Sequence, residues 1–197
     1  MSRGVVYIAY GRNAVTEATA SLFTLLRFHD WPVAVIGERV RGCTHIPFTG
    51  RGTPGRWAKV NLDVLTPFDE TLFLDADTRI HDRLDVGFRL LRHYDLVIVP
   101  SRPQHSDVLN HLSDKERAVT LRDILDPLQL NTGVMWFNRN AAPLFAVWRE
   151  EWQRWQDKDQ GALLRALERC PIPYAVLGAP FNSAEGTVVE HRFGAAA

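Results

Sequence analysis

The run Thr71-Leu72-Phe73-Leu74-Asp75-Ala76-Asp77-Thr78 constrains this chain more than any other. Four residues with strand character end in two carboxylates spaced i, i+2. In an extended chain that spacing puts both side chains on one face. Two carboxylates side by side repel each other unless a cation sits between them. Hard divalent ions such as Mg²⁺ or Mn²⁺ take one or two carboxylates plus the oxygens of a phosphate. Ligands of open α/β sheets bind beyond the carboxyl ends of the strands. The run therefore implies an α/β sheet with a metal–diphosphate site at the end of this strand. The plainer reading is a strand closing in a solvated aspartate turn, because Asp is a common turn residue.

The rest of the pattern favours the sheet. Residues 5–9 are β-branched, aromatic and apolar between Gly4 and Gly11, which predicts a buried strand. Asn13 is placed to cap a helix reaching about residue 29, with Val15, Ala18, Leu22, Leu25 and Leu26 in helical period. Residues 33–36 form the next strand. A strand–helix–strand opening favours a parallel sheet. Residues 41–56 read as a loop, Pro54 opens a short helix through Lys59, Leu62 and Leu65, and Asp82 caps a helix to about residue 92. Strands follow at 96–99 and 130–137, and short ones at 174–177 and 187–190. Between them Ser113-Asp114-Lys115-Glu116 is a capping-box pattern. Pro143 begins a helix to about residue 156, and Asp157 or Asp159 caps another to about residue 169. On the first of these, Phe145, Trp148, Trp152 and Trp155 form an aromatic stripe, read as a face packed on the sheet or on a partner subunit.

Charge and cysteine content narrow the partners. Lys+Arg and Asp+Glu both number 23, and the pI is near 7.1, which gives no support for a nucleic-acid partner. Cys43 and Cys170 have no zinc-type spacing and read as reduced thiols. No stretch has signal-peptide length or the ~20 apolar residues of a membrane span. The expectation is a cytoplasmic protein without a transmembrane segment. Its 197 residues suit one domain, 1–197, with a nucleotide-binding half over 1–99 and an acceptor and sugar-binding half over 100–197.

Further residues gain meaning beside the acidic pair. In Asn131-Thr132-Gly133-Val134 a glycine interrupts a strand, which often marks close approach of a ligand or another backbone. Asn131 carries donor and acceptor groups for a hydroxylated ligand. Asp159-Gln160 opens a helix, His191 follows the last strand and offers an imidazole for Mn²⁺, and Arg56 and Lys59 precede the acidic strand. The plain alternatives are a strand bulge, an N-cap, a solvated histidine and a solvated helix face.

Taken in order along nearly the whole chain, these pieces resemble the nucleotide-diphospho-sugar glycosyltransferases of the GT-A fold. They are most like the glycogenin and bacterial lipopolysaccharide galactosyltransferase group. The matching segments are residues 5–9, Lys59-Val60-Asn61-Leu62, the acidic strand, Asn131-Thr132-Gly133-Val134, Asp159-Gln160, Phe181-Asn182 and Val189-Glu190-His191. The resemblance implies a single Rossmann-like α/β domain, with a mostly parallel central sheet flanked by helices. It implies sugar transfer from a nucleotide-diphosphate sugar, a UDP-sugar being favoured, to a hydroxyl acceptor with retention. Asp75, Asp77 and His191 would hold Mn²⁺ or Mg²⁺. Tyr7, Ala9 and Tyr10 would line the nucleoside pocket, with Ala76 beside them. Lys59 would approach the phosphate or sugar. Asn131, Gly133, Asp159 and Gln160 would face the sugar, the last two as catalytic residues. The chain departs from the family after His191, where Arg192-Phe193-Gly194 replaces a longer basic tail. His105, Asp107 and Asp114 are candidates for an acceptor wall, and a homo-oligomer is open.

Two other functions use similar residues. Haloacid-dehalogenase-like Mg²⁺ phosphatases also carry Asp-x-Asp-x-Thr after a hydrophobic strand. There the motif usually opens the domain, whereas here about seventy residues precede it. A non-catalytic nucleotide-sugar-binding protein would keep the fold without turnover.

Overall fold

A computed structural model describes residues 1–49, 53–101, 109, 111–124, 128–156 and 158–196. Along the chain run β1 (Arg3–Ala9), α1 (Gly11–Leu25), β2 (Val33–Gly37), β3 (Thr44–Ile46), α2 (Pro54–Lys59) and α3 (Leu62–Leu65). Then come β4 (Glu70–Leu74), β5 (Thr78–Ile80), α4 (Asp85–Leu90), β6 (Leu96–Pro100) and α5 (Asp114–Asp123). The last part holds β7 (Leu130–Asn138), α6 (Ala142–Trp155), α7 (Asp159–Arg169), β8 (Tyr174–Val176) and β9 (Val189–His191).

Seven strands form one sheet in the order β3-β2-β1-β4-β7-β6-β8. All neighbours pair in parallel except β7, which runs antiparallel to β4 and β6. The expected mostly parallel α/β sheet is what forms. Period-2 alternation divides the core in two. Val5, Tyr7, Leu72, Leu74, Val134 and Trp136 face α1 and α4. Val6, Phe73, Met135 and Phe137 face α6 and α7. Phe145, Trp148 and Trp152 are buried in that second layer, so this part of the aromatic stripe is a core face, while Trp155 is half-buried beside Arg165.

Several local expectations are corrected. Asp75 and Asp77 lie beyond the end of β4, in the turn to β5, so a turn and not strand alternation brings them together. Thr78 fixes that turn, its Oγ1 donating to the Asp75 carbonyl at 2.8 Å. Helix α1 starts at Gly11 rather than after Asn13, because Glu38 Oε1 takes the Gly11 N–H at 2.8 Å. Asp82 accepts from the Arg83 N–H (2.7 Å), and α4 is preceded instead by a Leu84 N–H bonded to His29 Nε2 at 2.9 Å. The helix opened by Pro54 breaks in two where Asn61 Nδ2 donates to the Trp57 carbonyl at 2.7 Å, a side chain competing with the helical ladder. Lys158 occupies the N-cap position of α7, so Asp159 is the first helical residue and its carboxylate is spent elsewhere. Ser113 does cap α5, accepting from the Glu116 N–H at 3.3 Å. Residues 44–46 and 78–80, not expected as strands, are β3 and β5. His105, Asp107 and Asp157 lie outside the described residues.

Candidate active site

The carboxyl ends of β1 and β4 and the N-terminus of α7 open into one cleft of about 570 Å³. Asp75, Ala76, Asp77, Asn131, Asp159, Gln160, His191, Lys59 and Tyr10 all line it. The short strand β9 carries His191 there by pairing with β5, which sets residue 191 opposite Thr78.

Each acidic side chain divides its two oxygens between the protein and the cleft. Asp75 Oδ1 accepts from Lys59 Nζ at 2.8 Å, while Oδ2 lies 3.8 Å from His191 Nε2. Asp77 Oδ2 accepts from the Gly194 N–H at 2.9 Å, while Oδ1 lies 3.2 Å from His191 Nε2. One ligand atom from each of the three residues therefore converges, all within 4.8 Å of one another. Two carboxylate oxygens and an imidazole nitrogen fit Mn²⁺ chemically, and the phosphates of a ligand would complete the coordination. Burial works against the Asp77 charge, but hydrogen bonding and charge from His191 with the backbone donors hold its pKa below the usual range.

Deeper in the cleft a second ionic group forms around Asp159. Its Oδ2 accepts from Thr132 Oγ1 and lies 3.7 Å from Lys59 Nζ. Its Oδ1 lies 3.8 Å from Arg56 Nε. Burial opposes this carboxylate, yet Lys59, Thr132 and Arg56 keep its pKa low. The start of α7 adds the positive end of a helix dipole. Burial likewise opposes the Lys59 charge, but Asp75 and Asp159 outweigh it and push its pKa up. Lys59 passes over the Phe73 ring, 5.1 Å from its centroid, to reach both acids. Trp148 Nε1 donates to the Asp159 carbonyl at 2.8 Å and anchors the helix start from beneath.

Gly133 faces the metal-type cluster. A Cβ there would meet His191 Cε1 at 2.4 Å and Asp75 Oδ2 at 2.8 Å, and its carbonyl accepts the Asp75 N–H at 2.7 Å. The glycine in the strand marks close approach of the site's own side chains. Tyr7 and Ala9 do not line the cleft. They alternate toward α1, where Tyr7 Oη bonds Ser21 Oγ at 3.0 Å, and burial raises the phenol's pKa. Ile8, on the opposite parity, takes the cleft position with Tyr10, whose hydroxyl donates to the Phe48 carbonyl at 2.7 Å. Sequence reasoning gave no role to Thr132, Ile8 or Phe193. Strand parity alone would have exchanged Tyr7 for Ile8.

No protein-family model matches the sequence, and no curated protein does. Solved structures do match in fold. The galactosyltransferase LgtC, solved in complex with donor and acceptor sugar analogs, superposes with a TM-score of 0.64 at 14% identity, over 97% of this chain and 87% of that one. Mouse xyloside xylosyltransferase 1 gives 0.63 at 14% identity, over 92% and 87%. The glycosyltransferase GlyE of Streptococcus pneumoniae TIGR4 gives 0.63 at 14% identity, over 98% of this chain and 55% of its own. The fold is thus the GT-A glycosyltransferase fold. No helix among the described residues is long and apolar enough to cross a membrane.

Proposed function

We propose that this protein is a metal-dependent glycosyltransferase that moves a sugar from a nucleotide-diphosphate sugar, a UDP-sugar first, to a hydroxyl acceptor with retention of configuration. The observation that carries the reading is the convergence of Asp75, Asp77 and His191 in one cleft with the Lys59–Asp159 pair beside them, Lys59 Nζ lying 2.8 Å from Asp75 Oδ1.

When bound, a divalent ion, Mn²⁺ or Mg²⁺, would offset the charge that builds on the departing nucleoside diphosphate. Lys59, held protonated between two acids, supplies a second fixed positive charge near that leaving group. Ile8 and Tyr10 form a wall for the nucleoside. Asn131 and Gln160 orient the sugar hydroxyls. Asp159, kept ionised by Lys59, Thr132 and Arg56, faces the positive charge that develops at the anomeric carbon. Among the described residues of the 100–128 segment, Asp114 is the candidate for the acceptor wall. The free thiols Cys43 and Cys170 favour a reducing compartment such as the cytoplasm. The phosphatase alternative loses ground, because the fold is shared with glycosyltransferases.

Thermal unfolding with UDP, GDP, ADP and CDP, each with and without Mn²⁺, tests this. A ligand at 100 times its Kd adds about 2.7 kcal/mol, roughly a 5–10 °C shift for a chain of this size. The expected result is a shift that needs both UDP and Mn²⁺, is lost in Asp77→Asn, and accompanies turnover of a UDP-sugar. No shift with any diphosphate would overturn the reading.

A further inference from the structure

His191 is held by a chain of amides whose polarity can be worked out atom by atom. The Gly133 backbone N–H can only donate, and it points at Asn131 Oδ1 at 2.8 Å. That same oxygen accepts from Asn182 Nδ2 at 2.9 Å. An amide that turns its nitrogen toward Asn131 must turn its oxygen away, and Asn182 Oδ1 lies 2.7 Å from His191 Nδ1. An amide oxygen only accepts, so Nδ1 carries a proton. The nitrogen left for the cleft is Nε2, the one near Asp77 and Asp75. Reversing the ring's polarity would require both amides to flip, and the Asn131 NH₂ would then face the Gly133 N–H with two donors opposed. Asn131, Asn182 and His191 are 7%, 4% and 4% exposed, so water is poorly placed to relieve that clash.

We propose that Asn131 and Asn182 are positioning residues that keep the His191 proton on Nδ1 and so present the Nε2 lone pair to a divalent cation. The inference rests on the metal site of the proposed function and deepens it. Asn131 lines the cleft, Asn182 touches the imidazole, and Gly133 is the fixed donor that sets the direction of the whole relay. Ligand histidines in metal sites commonly give their second nitrogen to an oxygen acceptor, and loss of such partners costs about 10–100-fold in metal affinity. Here the acceptor is itself aligned by Asn131 on β7, so a change at Asn131 reaches the cation site through Asn182 and His191.

The test has two readouts besides activity. In ¹⁵N-labelled wild-type protein with Mg²⁺, above the pH at which the ring is charged, the His191 spectrum is expected to show a proton-bearing Nδ1 and a bare Nε2. Free Mn²⁺ measured by electron paramagnetic resonance gives the metal Kd. Asn182→Leu and Asn131→Leu are expected to raise that Kd, the first by about 10–100-fold, and to mix the two ring tautomers. Asn131→Asp retains two acceptor oxygens and is expected to preserve the tautomer, without the Leu variants' loss of Mn²⁺ affinity. A wild-type ring with its proton on Nε2 would overturn the relay. So would Leu variants that keep a native near-ultraviolet circular dichroism spectrum with Kd and tautomer unchanged. If the wild-type protein binds no Mn²⁺, the metal site of the proposed function fails, and the wild-type ring spectrum still decides the relay.

Discussion

A methyl group at Gly133 would stand 2.4 Å from His191 Cε1 and 2.8 Å from Asp75 Oδ2. Both neighbours are side chains of the proposed metal site, so Gly133→Ala should damage that site first. The expected outcome is Mn²⁺ affinity lowered by at least about tenfold, with an overpacking cost of about 1–3 kcal/mol. Calorimetric titration with Mn²⁺ and a urea melt measure the two parts, and unchanged metal affinity would contradict the placement. This residue also shows what can be read without coordinates. A glycine inside an apolar strand announces close approach, and Asp75, Asp77 and His191 are chemically typed for one ion. The partners of the approach are not legible, because they come from segments about sixty residues to either side. Tyr7 shows the opposite case. Its phenol suggests a binding wall, but one step of strand parity turns it into the layer beneath α1.

Among the elements, α5, α6 and α7 are joined by one buried guanidinium. Arg165 on α7 reaches Glu116 of α5 and Glu151 of α6, each at 2.9 Å, and donates to Thr120 Oγ1 at 2.9 Å. Glu116 is wholly buried and Glu151 is 4% exposed. Removing the cation would leave Glu116 a buried carboxylate without this partner, while Glu151 would keep Arg169 at 2.7 Å. Arg165→Met is therefore expected to destabilise the protein by about 3–5 kcal/mol, read as a lower urea midpoint. A triple replacement that makes Glu116 and Glu151 apolar as well should recover much of the loss, since a well-packed apolar substitute is often neutral or better. The helices themselves were largely legible from period and capping, as Ser113 and the α6 aromatic stripe illustrate. The strands β3 and β5 were not. Each has three residues, too few to show alternation, and each exists because a partner is waiting: β2 for one, β9 for the other. Helix starts moved for a similar reason, since Glu38 and His29 supply partners from distant segments.

For the molecule as a whole, the ionic cluster of the cleft sets a pH range. The pKa values of Asp77 and Asp159 are lowered in the fold, so their contribution is present above the unfolded carboxylate range and lost as pH falls below about 4. That of Lys59 is raised, so its contribution is present below the unfolded value and lost only as pH rises beyond about 10.4. The Lys59–Asp159 pair should contribute evenly between those limits. Asp159→Asn should lower the melting temperature at pH 7 and flatten its fall between pH 5 and about pH 2. An acid limb as steep as wild type would remove Asp159 from the account. The pairing of β5 with β9 carries a different consequence. It joins Thr78 to His191 across more than a hundred residues, long after β1, β2 and β4 have been made. Closing so long a loop is entropically costly and slow compared with local contacts. His191, the third residue of the proposed metal site, is therefore expected to join Asp75 and Asp77 late as a denatured chain refolds. Until β5 and β9 pair, the proposed site holds only the two aspartates, so metal binding through all three residues would report that this pairing has formed.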